Sequence, residues 1–317
     1  MADSQQPNSC WPFILPAKWP KWKKDEPVSW NHKGQSRLKP DLEITDVRLI
    51  QTIRTLFVVL IVYEYSLSYK IDLISADLPV TMKIASKNIE TSCPETEIYH
   101  RLLVLDDKDI LELGCGSATI TRDIATGGEH RRVTALEVDK IAHEQNLQIA
   151  DLPNVTFRLA GAENIPLEDT SVDVVFMFKS LHHVPVEEMD RSMREIRRVL
   201  RPGGLAYISE PVYAGAFNEI LCLFHDEKAV REAAFNAVKK SVDNDLFELM
   251  EEVFFNSPMA FEDFADFDNR IIKATHTEHR LDVALYQTVK QRFEAHMTDD
   301  GAVFLMPIRV DLLKKPL

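Results

Sequence analysis

From residue 95 onward the apolar positions switch repeatedly between a helical and an extended period. Glu95 to Leu105 places Ile98, Leu102 and Leu105 on one helical face, and the short apolar run Ile110 to Leu113 that follows reads as a strand. Ile120 and Ile124, one turn apart, open a second helix; Arg132 to Val138 and Val155 to Leu159 read as the next two strands. Val172 to Phe178 is apolar except for Asp173, as suits a strand covered on both faces. Val186 to Leu200 is the clearest helix: Val186, Met189, Met193, Ile196 and Leu200 form one stripe, with Arg191, Arg194, Arg197 and Arg198 on the solvated remainder. Arg201, Pro202, Gly203 and Gly204 end it, and LAYISEP predicts a fifth strand closing at Pro211.

Beyond Pro211 the pattern turns mainly helical. Tyr213, Phe217, Ile220 and Phe224 recur at helical spacing, and Ala229 to Lys240 and Asp243 to Phe255 continue in that period. This predicts a helical insertion over about 212–268, with Phe261, Phe264 and Phe267 in its core. Arg270 to His276 reads as a sixth strand, Leu281 to His296 as a helix, and AVFLMPIRVDLL after Gly301 as the last strand. Pro307 lacks a ladder donor, which predicts a bulge or an exposed edge there. Strands alternating with helices indicate an α/β, doubly wound, mostly parallel seven-stranded sheet.

Between the first strand and its helix stand Gly114, Cys115, Gly116 and Ser117. So sharp a reversal needs positive φ, and a missing Cβ lets a ligand lie against the backbone. Such a turn opens a crevice at the carboxyl end of a strand, where open α/β sheets bind ligands. A dinucleotide fingerprint would have a third glycine where this chain has Thr119. Glu112, just before the glycines, would repel a phosphate but suits an ammonium, which favours an amino-acid-bearing nucleoside over a nicotinamide dinucleotide. Glu137 closes the second strand about 20 residues further on, the spacing that delivers a carboxylate to a ribose; Asp139 is the alternative, and Val138 would line the base.

These residues resemble the class I S-adenosylmethionine-dependent methyltransferases, whose first motif is an acidic residue followed by G-x-G in this setting. The Ala162–Glu163 pair and the Leu-Arg-Pro-Gly-Gly run before the fifth strand extend the likeness from Ile110 to Pro211. The nearest pattern is that of the small-molecule methyltransferases, loosely the quinone-biosynthesis enzymes. The resemblance implies a Rossmann-like methyltransferase fold, S-adenosyl-L-methionine as cofactor and a small-molecule acceptor. It places Glu112, Gly114, Cys115, Gly116, Glu137, Val138, Ala162, Glu163 and Lys179 around the cofactor. Gly161 departs from the aspartate that many relatives carry for the adenine amino group. His182 and His183, after the fourth strand, are candidates for a general base or for packing beneath the cofactor. Glu210, Tyr213 and His225 are candidates to touch the acceptor. No metal is expected: no i,i+4 histidine or nearby carboxylate completes a set with the histidine pair, and the family's methyl transfer needs none.

A formal charge of −13 argues against nucleic acid as the main partner, since phosphate backbones are bound by a basic excess. Cys10, Cys93, Cys115 and Cys222 form no CxxC pair, which fits a reducing cytoplasm rather than a disulfide framework. Residues 1–81 stand apart: they hold all four tryptophans, Trp11, Trp19, Trp22 and Trp30, among prolines that leave no room for ordinary elements. They read as a poorly structured extension, with the functional chain starting near Met82, or as an interfacial segment carrying ILPAKWPKWKK. Leu56 to Tyr63 is far short of the roughly 20 residues that a spanning helix needs, so no stable membrane span is expected. A non-catalytic scaffold or regulator retaining the cofactor fold is the alternative function, and the oligomeric state is not legible.

Overall fold

Alternation within the strands assigns side chains to two cores, one on each face of a sheet. In the first strand, β1 (Asp109–Leu113), Ile110 enters one core while Leu111 and Leu113 enter the other. The computed structural model describes residues 81–273 and 281–317. The readings for residues 1–80, including the tryptophan-rich stretch and the apolar run at Leu56, lie outside the described residues.

Helix α1 (Glu95–Leu102) precedes β1, and α2 (Thr119–Thr126) leads to β2 (Arg132–Glu137). Then come α3 (Lys140–Asn146), β3 (Val155–Leu159), β4 (Val172–Phe178), a 3-10 turn (Leu181–His183), α4 (Val186–Val199) and β5 (Leu200–Pro211). The remainder is α5 (Ala216–Leu221), α6 (Lys228–Asp243), β6 (Glu248–Phe261), the single turn α7 (Phe264–Phe267), α8 (Val283–Glu294) and β7 (Ala302–Lys314). The seven strands form one sheet in the order β3-β2-β1-β4-β5-β7-β6. β1 to β5 pair in parallel, and β7 runs antiparallel to both β5 and β6. The chain reverses its direction of winding between β1 and β4, so the crevice of this sheet lies at their carboxyl ends.

One core gathers Phe176, Phe178 and Tyr207 with α1, α2 and α5; the other gathers Val175, Met177 and Ile208 with α4 and α6. The expected stripe of α4 is buried at Met189, Met193 and Ile196. Its basic face is less solvated than its sequence suggests. Arg198 pairs with Glu195 and Asp169 and donates to the carbonyls of Ile165 and Leu167, tying α4 to the loop before β4.

Three expectations for the second half are corrected. Residues 248–255, read as helical, lie in β6, so the helical insertion is interrupted by a long strand. Its opening residues Glu248, Leu249, Met250, Glu251 and Glu252 are helix formers, but pairing with β7 overrides that preference, and burial then alternates at Phe255, Ser257, Met259 and Phe261. The strand read at Arg270 is instead a π-helical turn, Asp268–Ile272, anchored by buried Ile271 and Ile272; residues 274–276 lie outside the described residues. Pro307 sits in an inner strand, with no register shift against its partner Asn256. Asn256 turns its own N–H and C=O toward Thr91 and Cys93, so Pro307 faces β6 through a non-hydrogen-bonded pair. Its nitrogen points to the end of β5, where the Val212 carbonyl is taken by Ala214 N–H. Phe261, Phe264 and Phe267 are core, as expected.

Candidate functional site

The glycine turn closes back on the neighbouring strand: the N–H groups of Gly114 and Cys115 both donate to Leu136 O, at 2.9 and 3.0 Å. Gly114 has φ +74°, and a Cβ there would stand 2.8 Å from that of Ser180, whose hydroxyl donates to Leu113 O at 2.9 Å. Conformation and close approach therefore both require glycine. Gly116 has φ +52° with open space around its Cα, and Ala118 (φ +61°) starts α2 from the left-handed region. Asn146 clamps the far side of the turn, donating to Gly116 O at 2.7 Å and lying 3.6 Å from the Cys115 sulfur.

Two carboxylates flank this turn. Glu137 is nearly buried and gathers three backbone donors: Gly116 N at 2.6 Å, Val138 N at 2.8 Å and Asp139 N at 2.9 Å. Asp139 caps α3 by accepting from Ala142 N, which commits it to the helix and leaves Glu137 as the carboxylate joined to the turn. Glu112 is buried and accepts from the Thr121 hydroxyl at 2.6 Å. Burial pushes its carboxyl up to about 8; Glu137 pushes the same way, and the Thr121 hydrogen bond and Lys179 oppose them. A cation brought beside Glu112 would favour its ionised form.

Beyond β2 an apolar shelf is exposed, with Val138 at 65% and Leu159, at the end of β3, at 46% of their areas. Ala162 is buried beneath, and the Glu163 carboxylate folds over Gly161 into the space that a side chain at 161 would fill. The departure at Gly161 thus has a physical counterpart: a carboxylate occupies that place from two residues further on. Lys179, in the left-handed region at φ +53°, donates through its ammonium to the buried Glu95 of α1 and through its N–H to Ser209 O.

A second polar cluster lies at the carboxyl ends of β4 and β5. His182 is buried, and its Nδ1 lies 2.5 Å from Glu210, whose other oxygen accepts from Leu181 N at 2.9 Å. Glu227 faces the opposite ring nitrogen at 3.7 Å, bonds His225 at 2.9 Å and is held by Arg231 at 2.5 Å. Burial by itself would lower the His182 pKa, but Glu210, its hydrogen bond and Glu227 together raise it. Glu210 moves down for the converse reason, the adjacent His182 outweighing burial. His183 is exposed, its ring 4.0 Å from that of His182. The structure therefore brings together Glu210, His182 and His225 from three separate segments. Tyr213 is half-buried, with Lys228 over its ring at 5.9 Å.

Sequence reasoning missed Thr121, Asn146, Ser180, Glu95, Glu227 and Arg231. Thr121 lies three positions after Ala118, on the first turn of α2, and so could have been placed beside Glu112. Ser180 and Glu227 stand beside the candidates Lys179 and His225 but carry no motif of their own, and Glu95, Asn146 and Arg231 reach the site from other segments. No helix among the described residues is long and apolar enough to cross a membrane.

Residues 111–208 match the family model described as a methyltransferase domain. Methyltransferase GfsG of Streptomyces halstedii is 30% identical over 128 residues, covering 39% of this chain and 45% of that protein. A probable S-adenosylmethionine-dependent methyltransferase of Mycolicibacterium smegmatis is 37% identical over 109 residues, 33% of this chain and 38% of its own. Sterol 4-C-methyltransferase strm-1 of Caenorhabditis elegans is 31% identical over 113 residues, 34% and 32% respectively. Each alignment spans less than half of the relative.

Proposed function

The chain carries a class I S-adenosylmethionine-dependent methyltransferase domain, and from that premise we propose that it transfers a methyl group to a small-molecule acceptor. The observation that carries the reading is the glycine turn at the β1/β4 crevice, bracketed by the buried carboxylates Glu112 and Glu137. Cofactor and residues fit. Glu112, uncharged in large part at neutral pH when alone, gains from an ammonium; Glu137, fixed by three amides, offers its remaining lone pairs to ribose hydroxyls. Gly114, Cys115 and Gly116 present backbone close to the ligand. Val138 and Ala162 receive the flat base, and Glu163, folded over Gly161, supplies a carboxylate acceptor for its amino group. Lys179, with its side chain committed to Glu95, acts by holding the end of β4 in place.

When bound, S-adenosylmethionine supplies a sulfonium methyl open to in-line attack. The residues' work is then alignment and exclusion of water, and positioning alone lowers such barriers by roughly 7 to 11 kcal/mol. The 3-10 turn, Glu210 and His225 stand where the acceptor is expected, over the carboxyl ends of β4 and β5. A small acceptor is supported by the acidic chain, which disfavours nucleic acid, and by the sterol acted on by one relative. The test is calorimetric titration of the full chain with S-adenosylmethionine beside Glu137→Ala, followed by an acceptor screen. Micromolar binding lost in the variant sustains the reading; a folded protein that takes no cofactor overturns it.

A further inference from the structure

We propose that His182, His183 and Glu227 form a binding site for a divalent transition-metal ion of the zinc class. Their donor atoms all lie within 4.8 Å of one another, although Glu227 is far from the histidines in sequence. Two imidazoles and one carboxylate are a donor set that zinc takes in open, three-ligand sites, leaving a further position for water or an incoming ligand.

The surroundings orient these donors. Glu210 lies 2.5 Å from His182 Nδ1 and so presents Nε2 to Glu227, 3.7 Å away. A carboxylate on the far nitrogen is the usual support of a metal-bound histidine, fixing its tautomer and ring. Arg231 holds the other oxygen of Glu227 at 2.5 Å, so Oε1 is turned toward the histidines. Asn218 in turn accepts from Arg231 at 3.0 Å, which keeps that guanidinium in place.

Around a tetrahedral zinc, donors bonded at about 2.0 to 2.2 Å stand roughly 3.4 Å apart. The widest of these separations must therefore close by about an ångström, while His182 and Glu227, at 3.7 Å, are already near that spacing. Metal binding would exchange the His225–Glu227 hydrogen bond, now 2.9 Å, for a bond at Oε1. Arg231 beside Glu227 and Arg309 opposite Glu210 oppose a dication, while the two carboxylates favour it. The site lies at the ends of β4 and β5, so its open position would take an oxygen or nitrogen of a ligand entering there.

The test uses the full chain, freed of metal by dialysis against a chelator and titrated with Co2+ alone and then with Zn2+ in competition. Expected is one equivalent of Co2+ per chain with visible ligand-field absorption that Zn2+ displaces, absent in His183→Ala. Glu210→Gln should weaken binding about 10- to 100-fold with the stoichiometry unchanged. His183 is exposed, so its removal leaves the fold intact, which the unchanged far-ultraviolet circular dichroism of the variant would confirm. No saturable binding, or binding that His183→Ala leaves unchanged, overturns the proposal. The readout is independent of methyl transfer, so failure here would leave the cofactor reading standing.

Discussion

The two halves of the sheet are held together by different means. β1, β2 and β4 surround a turn dense in hydrogen bonds and left-handed residues, with Gly114, Gly116, Ala118 and Lys179 all at positive φ and Glu112 and Glu137 nearly buried. β6 and β7 are instead a long antiparallel ribbon over a cluster of Phe217, Phe261, Phe267, Phe293 and Phe304, whose rings meet mostly edge to face. On the proposed reading, the difference teaches that stability and binding are concentrated in different places. Strained backbone and desolvated carboxylates are costly features, and they persist where the surrounding structure over-determines them.

The largest effect should come from the aromatic half. Phe261→Ala removes a ring that touches Phe217, Phe267, Phe293 and Phe304, and urea unfolding should show a loss of about 3 to 5 kcal/mol. Affinity for S-adenosylmethionine should be nearly unchanged below the unfolding transition. A comparable loss of affinity would show that the halves are not separate.

Next in size is the contrast between the two glycines. Gly114→Ala meets both the left-handed penalty and the Ser180 Cβ at 2.8 Å, a combined cost of about 2 to 4 kcal/mol, and should abolish measurable cofactor binding. Gly116→Ala meets only the conformational penalty, about 1 to 2 kcal/mol, and should still bind. Equal effects would remove the close approach of Ser180 as the reason for glycine at 114. Glu137→Gln should come third, weakening binding about 10- to 100-fold in calorimetry, because an amide cannot accept from all three N–H groups at once.

The same contrast explains what was legible in the sequence. In the parallel half each strand is apolar and set between helices of clean period, so β1 to β5 and the positions of Glu112 and Glu137 on them could be placed from local pattern. In the ribbon, the helix-forming residues of Glu248 to Glu252 belong to a strand because β7 pairs with them from more than fifty residues away. Pro307 was misread for a related reason: whether a missing donor matters depends on which neighbour it faces, and here that is the end of β5. Glu227 completes the His182 cluster only through the path of α5 and α6, so no local pattern near the histidine pair announces it.

The pH dependence at Glu112 is the most discriminating test, because it opposes stability to binding at one atom group. The Glu112 carboxyl is shifted from 4.5 to about 8, chiefly by burial, so between those values the folded protein holds a proton that the unfolded chain has released. Its contribution to stability therefore falls as pH rises through that window and levels off above it. Glu112→Gln removes the titration while retaining an acceptor for Thr121, so the variant should gain stability relative to the parent as urea unfolding is moved from pH 5 to pH 8. Binding should run the other way. The cofactor ammonium favours the ionised carboxylate, so parental affinity should rise by up to about tenfold per unit from pH 5.5 to pH 7.5, with proton release on binding. In the Gln variant affinity should be weaker and flat over that range. A variant that binds as tightly as the parent at pH 7.5 would remove Glu112 from the ammonium, and one that is destabilised at pH 8 would show that its charge supports the fold and that the division between the halves is drawn in the wrong place.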